Sequence, residues 1–262
     1  MNAVELRKYF SQIYSQDNEI FSANKSSNSN QDVEFILREK VARDVDEDYF
    51  SLISKSHSIE VMDNEVKLFL NTLPINACIL DVGGCWGWHW RSLQEIRPDV
   101  TVVILNFVRA NLLHANALLG NIVSNNIIFV HGDICSFLSN EKGASCLFDA
   151  VWSVQTLQHI PTYEKAIRNI YFLLKNKGLL STYSLNIQPH IKFFYSLLGK
   201  KYHMKGMVDG MYYLERASKE QLKIIEEVFE ARVTSRWTEV IFSPEIFFLY
   251  PGRKNVFLGK LC

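Results

Sequence analysis

"ILDVGGCWGWHW", residues 79–90, decides the fold. An apolar run ends in Asp81, and Gly83, Gly84 and Gly87 follow within five positions. Trp86, Trp88 and Trp90 crowd the same stretch. A buried strand, a flexible turn and then a helical stretch is how an open parallel sheet meets a ligand at the carboxyl ends of its strands. Glycines there let the backbone approach a bound molecule and adopt angles closed to other residues. The spacing G-G-C-W-G-W lacks the glycines of the dinucleotide fingerprint, and no Gly-Lys-Ser/Thr follows to make a phosphate loop.

Outward from this turn, short apolar runs alternate with helical stretches. The runs 77–82, 100–106, 126–133, 148–154 and 178–185 read as buried strands, with helices such as "RANLLHANALLGNI" and "YEKAIRNIYFLLKN" between them. Asp81, Asn106, Asp133 and Gln155 recur 25, 27 and 22 residues apart, the period of a strand–helix unit. The pattern predicts a parallel sheet with helices on both faces. Near the end, helix "KEQLKIIEEVFE" precedes two strands, "ARVTSRWTEVIF" and "KNVFLGKL". Residues 1–75 read as a helical cap with no strand signal: one helix around Val4–Ile13, a polar hinge over 22–32, a second helix over 33–45 and a third over 59–73.

The chain has 262 residues, 48% of them apolar, enough for a sizeable core. Lys+Arg and Asp+Glu are 28 each, a balance that argues against a nucleic-acid partner held by phosphate neutralisation. Five cysteines without a C-x-x-C pair argue against a disulfide framework or a metal site and suit a cytoplasmic location. No apolar stretch approaches membrane-spanning length, so no membrane partner is expected.

The glycine turn resembles motif I of class I S-adenosylmethionine-dependent methyltransferases, in their small-molecule, type 11-like branch. "ILNFVRANL", "VHGDI" and "FDAVWSVQTLQHIP" resemble the second, third and fourth strand motifs, in order, over about residues 75–185. The resemblance implies an α/β, Rossmann-like, doubly wound seven-stranded sheet: five parallel strands and a terminal antiparallel pair. The domain would span 76–262, with a helical cap over 1–75 and a lid insertion at about 186–218. It implies S-adenosylmethionine as cofactor. Gly83, Gly84, Cys85 and Gly87 would pass under its methionine part with Asp81 supporting them. Asn106 would hold the ribose. Asp133, Ile134 and Phe107 would take the adenine, and Ser153 and Gln155 would line the sulfonium. Two positions depart from the family pattern. Cys85 stands for its middle glycine, and Asn106 for its ribose-binding acid. Replacing a charged by a neutral acceptor costs about 1 kcal/mol. Asn106 also fits an ordinary strand end, and Asp133 a turn after Gly132.

Methyl transfer asks the protein to align a nucleophile, exclude water and, for a hydroxyl, remove a proton. His159 in "LQHIP" is the candidate base, its ordinary pKa near 6.5 suiting that task. A helix-start role competes with it. Trp90, Leu93 and Ile96 share a face and read as core, whereas Trp86 and Trp88 stand at the mouth. His57 and Met62 are placed within reach of the cofactor. The stretch 186–218 is rich in aromatic residues and histidines and reads as a lid. Trp88 and, within this lid, His190, Tyr195, His203 and Tyr212 are the acceptor-facing candidates.

The expected reaction is methylation of an oxygen or nitrogen of a small metabolite, a sugar or natural-product intermediate. Three alternatives stay open: aminocarboxypropyl transfer or cyclisation with the same cofactor, RNA methylation, and a binding module without activity. The expected partner is a small-molecule substrate, and a homodimer is left open.

Overall fold

The computed structural model describes residues 1–23, 59–119, 125–139, 141, 143–186, 193, 197, 199, 206–208, 211–213, 218–240 and 252–259. In chain order the elements are α1 (Ala3–Ile13), β1 (Ser15–Asp17), β2 (Ile20–Ser22), α2 (Ile59–Asn71), β3 (Cys78–Val82), a 3-10 turn Trp88–Trp90, α3 (Leu93–Ile96), β4 (Thr101–Asn106), α4 (Arg109–Leu119) and β5 (Ile127–His131). There follow β6 (Phe148–Val154), a second 3-10 turn Leu157–His159, α5 (Tyr163–Leu173), β7 (Leu174–Asn186), β8 (Gly206–Val208), β9 (Met211–Tyr213), α6 (Ser218–Phe229), β10 (Thr234–Val240) and β11 (Gly252–Gly259). The sheet order is β1-β2-β5-β4-β3-β6-β7-β11-β10, and β8 and β9 pair separately. Strands β2, β5, β4, β3, β6 and β7 are parallel neighbours, whereas β11 runs antiparallel to both β7 and β10. The chain leaves β3 toward β4 on one side and returns to β6 on the other. The turn after β3 therefore lies at the switch point of the sheet.

The expected seven strands are all present as the Rossmann-like, doubly wound arrangement. The cap differs from expectation in having two strands, β1 and β2, which extend the sheet past β5. Asn18 and Glu19 join them in left-handed conformations, φ +49° and +63°, as a two-residue hairpin turn demands. Three-residue strands leave no periodic signal, yet Ile20 and Phe21 are fully buried. The helix expected over 33–45 and most of the hinge lie outside the described residues.

Alternation along β3 explains the two cores. Cys78, Leu80 and Val82 join a cluster with Leu6 and Phe10 of α1, Ile170 of α5 and Phe229 of α6. Ile79 joins the opposite cluster with Met62 and Phe69 of α2, Leu112 of α4, Trp90 and Trp152. Asp81 falls on this second, aromatic face. The helical stretch expected after the turn is a 3-10 turn followed by the four-residue α3. Bulky rings lose rotamer freedom in a helix, and Pro98 closes the segment. No helix among the described residues is long and apolar enough to cross a membrane.

Candidate active site

The glycine turn is held from below. The Gly83 N–H donates to Leu105 O at 2.7 Å, and Gly87 N–H to Gly84 O at 2.8 Å. A side chain at Gly84 would stand 2.2 Å from Asp81 Oδ2 and 2.9 Å from Ile104 Cγ2. Gly87 combines φ +70° with a would-be Cβ 2.4 Å from Leu119 Cδ1, so both features require glycine. Cys85 is exposed at the apex with φ +48°. Asp81 Oδ2 accepts from Trp90 Nε1 at 2.6 Å, while its Oδ1 is buried without a hydrogen-bond partner among the described residues. Burial pushes the Asp81 carboxyl up to about 7, against the downward pull of the Trp90 hydrogen bond.

The neighbouring strand ends complete one edge. Asn106 Oδ1 caps its own turn by accepting from Val108 N at 2.8 Å. The Asn106 carbonyl accepts from Gly132 N at 3.0 Å, joining the ends of β4 and β5. Asp133 Oδ1 accepts from Cys135 N at 2.9 Å, and Ile134 is buried with its carbonyl held by Asn169 Nδ2 at 2.6 Å. Phe107 packs on Val108 and Ala110. Ser153 is fully buried, and its hydroxyl donates to Val82 O at 2.9 Å. That hydroxyl braces β6 against β3 rather than lining an opening. Gln155 takes φ +52°, and its Nε2 is buried without a partner among the described residues. Next to it, Thr156 abuts Gly83 and was missed from sequence.

His159 lies in the second 3-10 turn with Nε2 3.0 Å from Gln158 Nε2 and with Nδ1 buried. Trp90 is buried and edge-on to Trp152 at 5.9 Å, as its spacing predicted. Trp86 bonds Asn111 Oδ1 at 3.0 Å and so reaches α4. Trp88 departs from its expected place at the mouth. It is 6% exposed, and the Arg91 guanidinium covers its ring face at 3.5 Å. Met62 packs in the aromatic core instead of reaching the edge. His57, His190, Tyr195 and His203 lie outside the described residues. Tyr212 falls on β9, and its side chain is outside them too.

Residues 80–182 match the family described as "Methyltransferase domain". These residues thus carry a methyltransferase domain, on the class I methyltransferase fold. This family implies S-adenosylmethionine as methyl donor. No curated protein matches the sequence. Among solved structures, one assigned as a methyltransferase from Bacillus halodurans is 14% identical, with TM-score 0.54 over 76% of this chain and 99% of its own. One assigned as a sarcosine dimethylglycine methyltransferase from Galdieria sulphuraria is 15% identical, with TM-score 0.52 over 78% and 85%. The [4+2]-cyclase SpnF is 17% identical, with TM-score 0.51 over 68% and 59%. At such identities the likeness concerns the fold alone.

The strand edge fits the donor chemically. Among the described residues, Asp81 Oδ1 is a buried acceptor and Gln155 Nε2 a buried donor without a partner. An amino-acid arm carries the complementary ammonium and carboxylate. Unpaired buried polar atoms cost about 1–3 kcal/mol each, so an arm pairing with them gains accordingly.

Proposed function

We propose that this chain is a methyltransferase that transfers the methyl group of S-adenosylmethionine to an oxygen or nitrogen of a small metabolite, a sugar or natural-product intermediate, in the cytoplasm. The observation that carries the reading is the pair of unpartnered groups, Asp81 Oδ1 and Gln155 Nε2, beside a turn with no room for side chains at Gly84 and Gly87. Gly83 to Gly87 hold the amino-acid arm. Asn106 keeps Oδ1 on Val108 and offers its amide N–H groups to the ribose. Asp133 and Ile134, with Phe107, receive the adenine. The bound cofactor supplies an electrophilic methyl on a sulfonium. The chain's own work is to orient the acceptor and exclude water.

His159 is assigned as the base for a hydroxyl acceptor. Its Nε2 contact with Gln158 fixes the ring until the acceptor takes its place. The cap over 1–75 and the lid at about 186–218 close the acceptor side, with His190, Tyr195, His203 and Tyr212 as contacts. Trp88 is not among them, since Arg91 covers its ring. The strand-four sequence Ser153-Val154-Gln155-Thr156 lacks the Asn/Asp-Pro-Pro-Tyr/Phe pattern suited to nucleobase amines, which supports a small acceptor over RNA.

Calorimetry with S-adenosylmethionine, then product analysis against a metabolite panel, tests the reading. S-adenosylhomocysteine as product supports it, and absence of cofactor binding at millimolar levels overturns it. A rate loss under tenfold in His159→Ala removes that residue from the base role. The likeness to a [4+2]-cyclase of the same fold favours one second reading, a non-methyl reaction. Methylthioadenosine among the products would indicate aminocarboxypropyl transfer.

A further inference from the structure

On the aromatic face of the sheet, a cavity of about 290 Å³ opens between α2, β7 and β10. Glu65 of α2 is 4% exposed there, yet it carries a carboxylate. It accepts from the Tyr183 hydroxyl at 3.0 Å and from Arg236 Nη2 at 2.6 and 2.8 Å. Two aromatic contacts separate this cluster from the glycine turn. Tyr183 packs on Trp152 at 4.7 Å and Trp152 on Trp90 at 5.9 Å, and Trp90 bonds Asp81. The cavity is lined by residues other than those of the methyl-donor edge, which it neighbours through the Gln155 N–H donating to Tyr183 O at 2.7 Å.

Packing alone gives no reason for the charge. An apolar residue beside Phe69 would fill the position without the desolvation that a carboxylate suffers. The cation that answers it is the exposed member of the pair, with 57% of its side chain accessible. Arg236 contacts both carboxylate oxygens through one nitrogen instead of the two-nitrogen fork that such pairs favour. Its Nη1 and Nε make no hydrogen bond among the described residues. A carboxylate offers about four acceptor positions, and these three contacts leave one open. One small cavity thus presents an anion and a cation with capacity to spare, beside the apolar wall of Leu68 and Phe69.

We propose that this cavity binds a small zwitterion of the amino-acid type, its ammonium on Glu65, its carboxylate on the unused edge of Arg236 and a short apolar side chain against Leu68 and Phe69. Singly charged molecules fit worse. A monocarboxylate meets Glu65 as a like charge, and a monoamine meets Arg236. The site stands independently of the acceptor assigned above.

Equilibrium binding to the intact chain tests it, with L-leucine and L-valine as zwitterions and hexanoate and hexylamine as singly charged probes. Saturable binding of a zwitterion in the millimolar range or tighter is expected. It should weaken at least about tenfold in Glu65→Gln and in Arg236→Gln, with S-adenosylmethionine affinity unchanged. Arg236 is exposed, so its variant keeps the test decisive if Glu65→Gln fails to fold. Absence of saturable zwitterion binding, equal binding of hexanoate or hexylamine, or full affinity in Arg236→Gln would overturn the proposal.

Discussion

Asp81 is a buried carboxyl group with one oxygen on Trp90 and the other without a partner among the described residues. Its titration is therefore coupled to folding. The unfolded carboxyl titrates at about 3.9, and burial moves the folded one to about 7. Between those values the folded state keeps a proton that the unfolded state has lost. Stability from this group is full below about pH 4 and is lost as pH rises to about 7. Urea midpoints of wild type and Asp81→Asn across this range should diverge, with the wild type showing the steeper decline. A cationic ligand group beside Oδ1 favours the charged form, so S-adenosylmethionine affinity should rise as pH passes about 7 and flatten in Asp81→Asn. Gly84→Ala pushes a methyl into the same carboxylate. It should cost about 1–3 kcal/mol of stability and at least about tenfold in cofactor affinity by calorimetry.

The first helical connection shows why an element can be misread. The spacing of Trp90, Leu93 and Ile96 gave the correct buried face but not the helix, because Trp90 is fixed by its Nε1 to Asp81 and Pro98 ends the run. An indole N–H in a core position needs an acceptor, and the nearest buried acid in sequence was the only available hint. Arg97, just after α3, shows a similar dependence between elements. Its guanidinium donates to Leu70 O at 2.7 Å, Leu73 O at 3.3 Å and Pro74 O at 2.8 Å, closing the carboxyl end of α2. Asp99 holds Arg97 at 2.8 Å and accepts from Asn76 N at 2.8 Å. Arg97→Ala leaves those carbonyls to water, and a loss of about 1–3 kcal/mol is expected in chemical denaturation. The strands β3 to β7 were legible because buried parallel strands read as continuous apolar runs. The pair β1 and β2 was not, since three residues carry no period.

At the scale of the molecule, the strand edge that collects the glycine turn, Asn106, Asp133 and Gln155 follows from parallel pairing, which is why the spacing of Asp81, Asn106, Asp133 and Gln155 in sequence revealed it. What the spacing could not reveal is commitment of side chains: Ser153 to Val82, Trp88 to Arg91 and Met62 to the core. Such pairings depend on rotamers and neighbours distant in sequence. Phe10 shows the reach of long-range packing, with ring centroids 5.7 Å from Phe21 and 6.1 Å from Phe137. Phe10→Ala should lower stability by about 3–5 kcal/mol, read from thermal or urea melts. Strand β2 meets β5 in parallel, Ile20 opposite Phe129. More than a hundred residues must leave the ribosome between the synthesis of those two partners. Strand β2 thus waits for its neighbour, and a chaperone gripping residues 1–20 would delay the closing of the sheet more than one held anywhere along α4.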